Sequence, residues 1–245
     1  MCVFLSMRAD KSNLQKRFDA TLVEEEFFGP KYVQSAFEFP GWPVISSEKP
    51  DKIGLMQWGL IPHWVKDSAA AAEIRSRTVN ARSETLLEKP AFRLAAAKNH
   101  CLVLADGFFE YREMNGRKFP YYIRIHEGRL FAMAGLYDIW ADRSTGEVVT
   151  SFSIITTEAN SLMEMVHNVR KRMPVILAEE DERVWLSKME DFQTLLKPFP
   201  AEQMEAWPVS RLLTSRNQKK NSPEVLVKFD YPELPDPDGQ QGRLF

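Results

Sequence analysis

The spacing of hydrophobic residues predicts a short helix near the start of the chain. Leu14, Phe18 and Leu22 recur every four residues, which is the period of a single buried helical stripe. Residues 12–15 also have the spacing of a capping box, so we expect a helix of about three turns here. Further short helices are predicted at 90–98, 160–166, 181–187 and 189–196.

Apolar runs in the middle of the chain are short and are bounded by turn residues, as in strands. Residues 101–105 are continuously apolar and predict a buried strand, and Asn115-Gly116 is a strong hairpin signal. Further strands are predicted at 37–39, 44–45, 53–58, 119–125, 130–137, 148–156, 172–177 and 207–212. The pattern predicts an α+β fold, with a curled, largely antiparallel, barrel-like core and short flanking helices.

A change in composition near residue 229 predicts the domain organisation. Residues 1–228 have the mixed composition of one globular domain. Residues 229–245 are rich in proline and aspartate, and we expect a flexible tail there.

Composition and charge narrow the class of protein. The 245 residues include 44% hydrophobic residues, enough for a sizeable core, and no apolar run long enough to span a membrane. Two cysteines do not make a disulfide framework, so we expect free thiols and a cytoplasmic location. The net charge of −2 does not indicate a nucleic-acid-binding protein, but basic residues cluster at 75–82, 170–172 and 211–220. Each cluster fits either a solvated surface or a site for an anionic partner.

Motifs of the common cofactor enzymes and metal proteins are absent from the sequence. It contains no Gly-x-Ser-x-Gly elbow, no phosphate-binding glycine loop and no dinucleotide fingerprint. The four histidines do not have metal-ligand spacing. We therefore expect neither a cofactor nor a metal.

Cys2 has distinctive chemistry if Met1 is removed. Its thiol and its α-amine would then lie on adjacent carbons, and such a 1,2-aminothiol condenses with an aldehyde to a Schiff base and then a thiazolidine. Both nucleophiles must be unprotonated, and the amine and thiol have reference pKa values of about 7.7–8.0 and 8.5. A site with a nearby acid or base would raise the reactive fraction. The alternative is that Cys2 is a small apolar residue that opens a strand.

Other side chains suit a site for an anionic substrate. Asn80 and Arg82 lie two residues apart, so an extended backbone would point both side chains to one face. Glu110 lies among aromatic residues, where partial desolvation would favour a proton donor, although an exposed edge-strand glutamate fits the pattern equally well. His167 follows a predicted helix and fits a structural or a catalytic role. Trp58 and Trp64 lie on a loop that is punctuated by glycine and proline; we expect Trp58 in the core, whereas Trp64 is either a core residue or a stacking surface for a base.

These motifs, in this order, resemble those of the SOS-response-associated peptidase (SRAP) family of abasic-site-processing proteins. The resemblance covers about residues 1–228. Its motifs are Met1-Cys2, Trp58-Gly59-Leu60-Ile61-Pro62-x-Trp64, Asn80-Ala81-Arg82-Ser83-Glu84-Thr85, Asp106-Gly107-Phe108-Phe109-Glu110-Tyr111, and His167 followed by Arg172-Met173-Pro174. The chain differs from the family pattern in having Val3-Phe4 where Gly-Arg is usual, and four residues between His167 and Arg172.

The resemblance implies one domain with a barrel-like core and a groove for single-stranded DNA. It implies that Cys2, once Met1 is removed by autoproteolysis, captures the aldehyde of an abasic site, with lyase activity as a further reaction. Asn80 would hold the sugar, Glu110 would transfer protons, and His167 would assist ring opening and reversal. The implied DNA contacts are Arg82, Arg172 and Trp64. The expected partner is single-stranded DNA containing abasic sites, bound by a monomer.

Two alternative functions remain open on the sequence. One is a cysteine peptidase or amidohydrolase with an N-terminal nucleophile, and the other is a non-covalent single-strand-binding module. Separately, Gln241-Gly242-Arg243-Leu244-Phe245 resembles the peptides that bind bacterial sliding clamps, with Gln241, Leu244 and Phe245 as the contact residues. The alternative for this segment is an ordinary frayed terminus.

Overall fold

The computed structural model describes residues 2–23, 25–214 and 221–234. Its α-helices are α1 (Lys11–Phe18), α2 (Ser68–Arg75), α3 (Arg93–Lys98), α4 (Ser161–Val166) and α5 (Glu179–Leu186). Its strands are β1 (Phe4–Met7), β2 (Thr21–Leu22), β3 (Lys31–Ser35), β4 (Gly41–Ser46), β5 (Lys52–Trp58), β6 (Asn80–Arg82), β7 (His100–Ala105), β8 (Gly107–Met114), β9 (Arg117–Ile125), β10 (Phe131–Ala141), β11 (Val148–Glu158), β12 (Arg172–Pro174) and β13 (Met204–Pro208).

Five strands close into a barrel. The order β5-β4-β7-β10-β11 is antiparallel at each step, and a parallel pairing of β11 with β5 completes the ring. Side chains fill the interior so closely that a Cβ on Gly135 would lie 2.8 Å from Val103 and 2.9 Å from the Cys101 sulfur. This barrel confirms the predicted α+β fold with a curled, largely antiparallel core.

A second, fully antiparallel sheet has the order β3-β1-β8-β9-β13. Asn115 and Gly116, both at positive φ, form the tight turn between β8 and β9, as the sequence predicts. The short strand β6 joins the barrel by pairing in parallel with β11. The candidate site is carried by the residues before β1, the start of β6, the middle of β8 and the C-terminal end of α4.

The predicted first helix differs from α1 at both ends. Helix α1 begins after Asp10, whose side chain accepts a hydrogen bond from the amide of Asn13, so the predicted capping box at residues 12–15 is wrong. The helix ends at Phe18 because Asp19 takes the left-handed conformation. Leu22 belongs to β2, which pairs with β5. Tertiary pairing therefore overrides the helical spacing of Leu22.

Other local predictions also need correction. The predicted strand 37–39 is a 3₁₀ turn, Ala36–Glu38, because Ser35 caps it and Phe39 has a positive φ. The predicted helix 189–196 contains the 3₁₀ turn Phe192–Leu195, and the predicted strand 207–212 is replaced by β13, which ends at Pro208. The predicted strand 172–177 is regular only over β12. These segments are short and lack a long periodic run, so local sequence specifies them weakly.

Part of the predicted tail packs on the second sheet. Tyr231 stacks edge-on against Phe119 and donates a hydrogen bond to the Val209 carbonyl at 2.8 Å, and Glu233 pairs with Arg117 at 2.8 Å. Residues 235–245, which include Gln241, Leu244 and Phe245, lie outside the described residues.

Candidate active site

Cys2 lies two residues before the first residue of β1, which runs between β3 and β8. Phe4 is in register with Ser35 on one side and Phe109 on the other. The Cys2 side chain is buried, and its sulfur lies 3.8 Å from the Phe4 carbonyl oxygen. Burial, and then the negative charge of Glu110, raise the pKa of the Cys2 thiol well above its ordinary value. Cys2 is therefore held as a neutral thiol beside a carboxylate.

A buried polar network fixes the position of β1. The Ser6 hydroxyl donates to Asp106 Oδ1 at 2.5 Å, and both the amide and Nε of Arg8 donate to Asp106 Oδ2, at 2.7 and 2.8 Å. Asp106 lies in the turn between β7 and β8, so its carboxylate joins β1 to both sheets. These contacts set the register of the strand that begins beside Cys2.

Asn80 approaches Cys2 from the barrel. Strand β6 pairs with β11 so that Asn80 is in register with Ile154, and Asn80 Nδ2 donates a hydrogen bond of 2.8 Å to the Cys2 carbonyl oxygen. The Asn80 side chain is buried, and its Oδ1 has no hydrogen-bond partner within the described residues. A buried acceptor without a partner is costly, and a hydroxyl or amine of a ligand would satisfy it.

Glu110 and His167 face each other in the same region. Glu110 lies on β8 and is buried, and His167 caps the C-terminal end of α4. The distance from His167 Nε2 to Glu110 Oε2 is 3.8 Å. Because β8 pairs with β1 and β9 on its two sides, Glu110 is buried and is not an exposed residue of an edge strand.

The tautomer of His167 follows from its other ring nitrogen. Nδ1 lies 2.9 Å from the Arg172 carbonyl oxygen, which only accepts hydrogen bonds, so Nδ1 carries a proton. Burial lowers the pKa of His167, and the charge of Glu110 opposes that shift. The neutral ring therefore directs the Nε2 lone pair towards Glu110. His167 Nε2 and the Glu110 carboxylate are therefore two neighbouring groups that can accept a proton from a reacting group or return it.

The predicted DNA-contact arginines differ in their surroundings. Arg82 ends β6 and is exposed. The guanidinium of Arg172 forms a two-point ion pair with the Glu84 carboxylate, and its Nη2 also donates to the Thr156 carbonyl oxygen at 2.6 Å. Arg172 therefore joins β12 to β11 and to the turn after β6. Nη1 and Nη2 are directed to protein groups, whereas Nε is buried and has no hydrogen-bond partner among the described residues.

Trp64 and Trp58 differ in their exposure. The Trp64 side chain is 49% exposed, whereas Trp58 is completely buried, as expected for a core residue. Trp64 lines a cavity of about 320 Å³, whose walls include Val65, Ala70 and Ile74. An exposed indole beside an apolar cavity offers a stacking surface.

Comparison with known proteins identifies the family. The model of the SOS response associated peptidase (SRAP) family matches residues 1–216. The chain belongs to the SRAP family. This membership confirms the resemblance found in the sequence motifs.

Two groups of relatives support the same conclusion. The chain is 41% identical over 188 residues to the abasic site processing protein YoqW of Bacillus subtilis, a match that covers 75% of the chain and 80% of YoqW. It is 32% identical over 196 residues to the abasic site processing protein HMCES of Xenopus tropicalis, covering 71% of the chain and 57% of that protein. A crystal structure of a Bacteroides thetaiotaomicron protein superimposes with a TM-score of 0.87 at 37% identity, covering 93% of the chain and all of that structure.

The SRAP fold thus brings together four of the residues singled out in the sequence: Cys2, Asn80, Glu110 and His167. Ser6, Asp106 and Glu84 also support the site, and sequence reasoning gave them no role. Glu84 lies within the motif Asn80-Ala81-Arg82-Ser83-Glu84-Thr85, but its ion-pair partner, Arg172, is 88 residues further along the chain. Only the fold reveals that pairing.

Within the described ranges, no group of His, Cys, Asp and Glu side chains has an arrangement that would hold a metal ion. The helices in those ranges are also too short or too polar to cross a membrane.

Proposed function

We propose that this SRAP protein captures abasic sites in single-stranded DNA through Cys2 after Met1 is removed. The observation that carries the proposal is the convergence of Asn80, Glu110 and His167 on the residue that would become the N-terminus. The relatives YoqW and HMCES are named as abasic site processing proteins, which supports DNA damage as the context.

The reaction needs no oxidant or reductant. A ring-opened abasic sugar exposes an aldehyde, and the α-amine of Cys2 attacks its carbon. Loss of water gives the C=N bond of a Schiff base. The Cys2 sulfur then adds to that carbon while its proton passes to the nitrogen, which closes a thiazolidine. Because burial keeps Cys2 as a thiol, a neighbouring base has to take the proton first.

The site residues take complementary roles in this reaction. Asn80 holds the start of β1 through Nδ2 and accepts a hydrogen bond from the sugar through its unpaired Oδ1. Glu110 transfers protons during ring opening and Schiff-base formation. His167 presents the Nε2 lone pair as a second proton acceptor, and returns the proton when the cross-link is reversed or the strand is cleaved in a lyase step.

The DNA follows the surface that carries Arg82 and Trp64 in this proposal. Arg82 is exposed and binds a phosphate, and the open face of Trp64 stacks on a base. Arg172 reaches a phosphate by exchanging its bonds to Glu84. The protein acts as a monomer in the cytoplasm.

One experiment separates the proposal from its alternatives. The purified protein is mixed with single-stranded DNA carrying one abasic site and run on a denaturing gel. We expect a covalent species that disappears in Cys2→Ala and in preparations whose intact mass shows retained Met1. A complex seen only on a native gel would favour a binding module, and peptide cleavage without DNA capture would favour a peptidase.

We further propose that the peptidase activity in the family's name is the removal of Met1 by the chain's own site. Intact mass then shows Met1 lost from the wild type and retained in Cys2→Ala. Loss of Met1 from Cys2→Ala at the wild-type rate would assign the cleavage to a cellular aminopeptidase.

A further inference from the structure

Residues 168–171 form an exposed turn between His167 and Arg172. The Lys171 amide donates to the His167 carbonyl oxygen at 2.8 Å, and Lys171 has a φ of 48°, which turns the chain back towards β12. Val169 is 64% exposed, and the neighbouring side chains are also exposed. The turn places basic residues next to a histidine of the site.

Asn168 attaches this turn to the strand that carries Glu110. Its Nδ2 donates to the Glu113 carbonyl oxygen at 2.8 Å, and its Oδ1 accepts from the Glu113 amide at 2.9 Å. This pair of bonds imitates one step of a strand pairing. The turn is therefore held in a defined position relative to both Glu110 and His167.

The basic side chains of the turn region differ in their availability. Lys171 pairs with Glu164 at 3.3 Å, and Arg172 is bound by Glu84 and Thr156. Arg170 is exposed and forms no ion pair with any residue in the described ranges. Of these cations, Arg170 can bind a ligand without first breaking a protein contact.

We propose that Arg170 binds a DNA phosphate next to the abasic site and that Asn168 holds it in place for that contact. The inference rests on the proposed function and extends it. It adds Arg170 to the phosphate contacts proposed for Arg82 and Arg172, and the carbonyl oxygen of Arg172 also positions the His167 ring. Arg170 is three residues beyond His167 in an exposed turn, which would let its guanidinium bind a phosphate that flanks the captured sugar.

The electrostatics of the site agree with this placement. The positive charge of Arg170 contributes to the lowered pKa of His167, so the two groups are close enough to interact. A phosphate bound to Arg170 would reduce that effect. DNA binding would then raise the proton affinity of His167 while the substrate is present.

Salt dependence of binding tests the contact independently of covalent capture. The background is Cys2→Ala, and the ligand is single-stranded DNA with a tetrahydrofuran abasic analogue, which has no aldehyde. Each phosphate contact contributes about 0.7 to the slope of log K against log salt for single strands. We expect Arg170→Gln to lower the magnitude of that slope by about 0.7 and to weaken binding at low salt.

Two controls make the same change of charge elsewhere. Lys171→Gln alters the paired cation in the same turn, and Arg93→Gln alters an exposed arginine in α3, a helix that packs on β7 and β10. Both should keep the parent slope. An unchanged slope in Arg170→Gln, or an equal fall in either control, would overturn the proposed contact. Failure of the unmodified protein to cross-link DNA would instead contradict the proposed function, because the salt slope does not depend on capture.

Discussion

Nε2 of His167 lies 3.8 Å from Oε2 of Glu110, and the opposite nitrogen of the ring is fixed by the Arg172 carbonyl oxygen. The ring cannot rotate to offer Nδ1 without losing that bond. The neighbouring carboxylate therefore raises the proton affinity of the histidine, against the effect of burial.

Removing the charge of Glu110 should lower the pKa of His167 further. Burial already lowers this pKa, and Glu110 opposes the shift more strongly than the hydrogen bond to the Arg172 carbonyl oxygen does, so Glu110→Gln removes the larger of the two opposing contributions. An NMR titration of the His167 ring measures the change directly. In this variant, the pH below which the rate of DNA capture falls should be lower than in the wild type. Glu113→Gln, on the same strand, is the control and should change the His167 titration less. A rise in the His167 pKa in Glu110→Gln would contradict this effect of Glu110.

Asn80 should contribute both to stability and to capture. Asn80→Ala leaves the buried Cys2 carbonyl oxygen without its donor, which typically costs about 1–3 kcal/mol. Urea unfolding measures the loss, and the rate of cross-linking should fall because the start of β1 is less restrained. Asn13→Ala removes an exposed asparagine and should change stability by less than about 0.5 kcal/mol. Equal stability of Asn80→Ala and the wild type would show that the bond to Cys2 adds nothing.

The sequence predicts the elements of this fold better than the contacts between them. The strand at 101–105 and the turn at Asn115-Gly116 depend on local apolar runs and on positive φ angles, which neighbouring residues reveal. The bonds Ser6 to Asp106, Asn168 to Glu113 and Arg172 to Glu84 join residues 100, 55 and 88 positions apart. No local pattern contains that information.

In the candidate site too, the sequence predicts individual residues better than the contacts between them. Residue chemistry suggested Cys2 and Glu110, and the family motifs added the roles of Asn80 and His167. The ion pair between Arg172 and Glu84 could not be predicted, because the sequence shows both only as charged residues. The pair forms because β6 and β12 lie on opposite sides of β11. Only the folded structure distinguishes an arginine that is paired with protein groups from one that can bind a ligand.

Closure of the barrel can be tested at Gly135. A Cβ added there would lie 2.8 Å from Val103, 2.9 Å from the Cys101 sulfur and 3.1 Å from the Ser153 carbonyl oxygen, so strands on both sides would have to move. Overpacking of this kind costs about 1–3 kcal/mol, and thermal or urea unfolding of Gly135→Ala should show it. Gly41→Ala on β4 is the control, because its Cβ would be 3.7 Å from Leu55. Unfolding of Gly135→Ala at the wild-type midpoint would contradict a closed barrel.

The C-terminal residues give a separate prediction about partners. If Gln241, Leu244 and Phe245 bind a replicative sliding clamp, deletion of 241–245 should abolish clamp binding and leave DNA cross-linking unchanged. Surface plasmon resonance against the purified clamp measures the first, and a denaturing gel the second. The double variant Leu244→Ala/Phe245→Ala is the substitution that matches this deletion. Absence of binding by the full-length protein would end this hypothesis.

The pairing of Glu84 with Arg172 predicts how stability changes in acid. The bond to Arg172 lowers the pKa of Glu84 in the folded protein below its unfolded value. Between these two values the unfolded chain binds more protons, so the contribution of Glu84 is complete above pH of about 4.5 and is lost as the pH falls through the folded pKa.

Glu84→Gln should remove this acid-dependent contribution. We expect a lower free energy of unfolding than the wild type at pH 6 and a smaller difference as the pH falls. The difference should stay within about 1 kcal/mol, because the Glu84 side chain is 52% exposed and water screens the pair. Urea unfolding between pH 3 and pH 6 measures it, with Glu88→Gln as a nearby control. A difference that grows on acidification would mean that Arg172 does not hold Glu84 in its charged form.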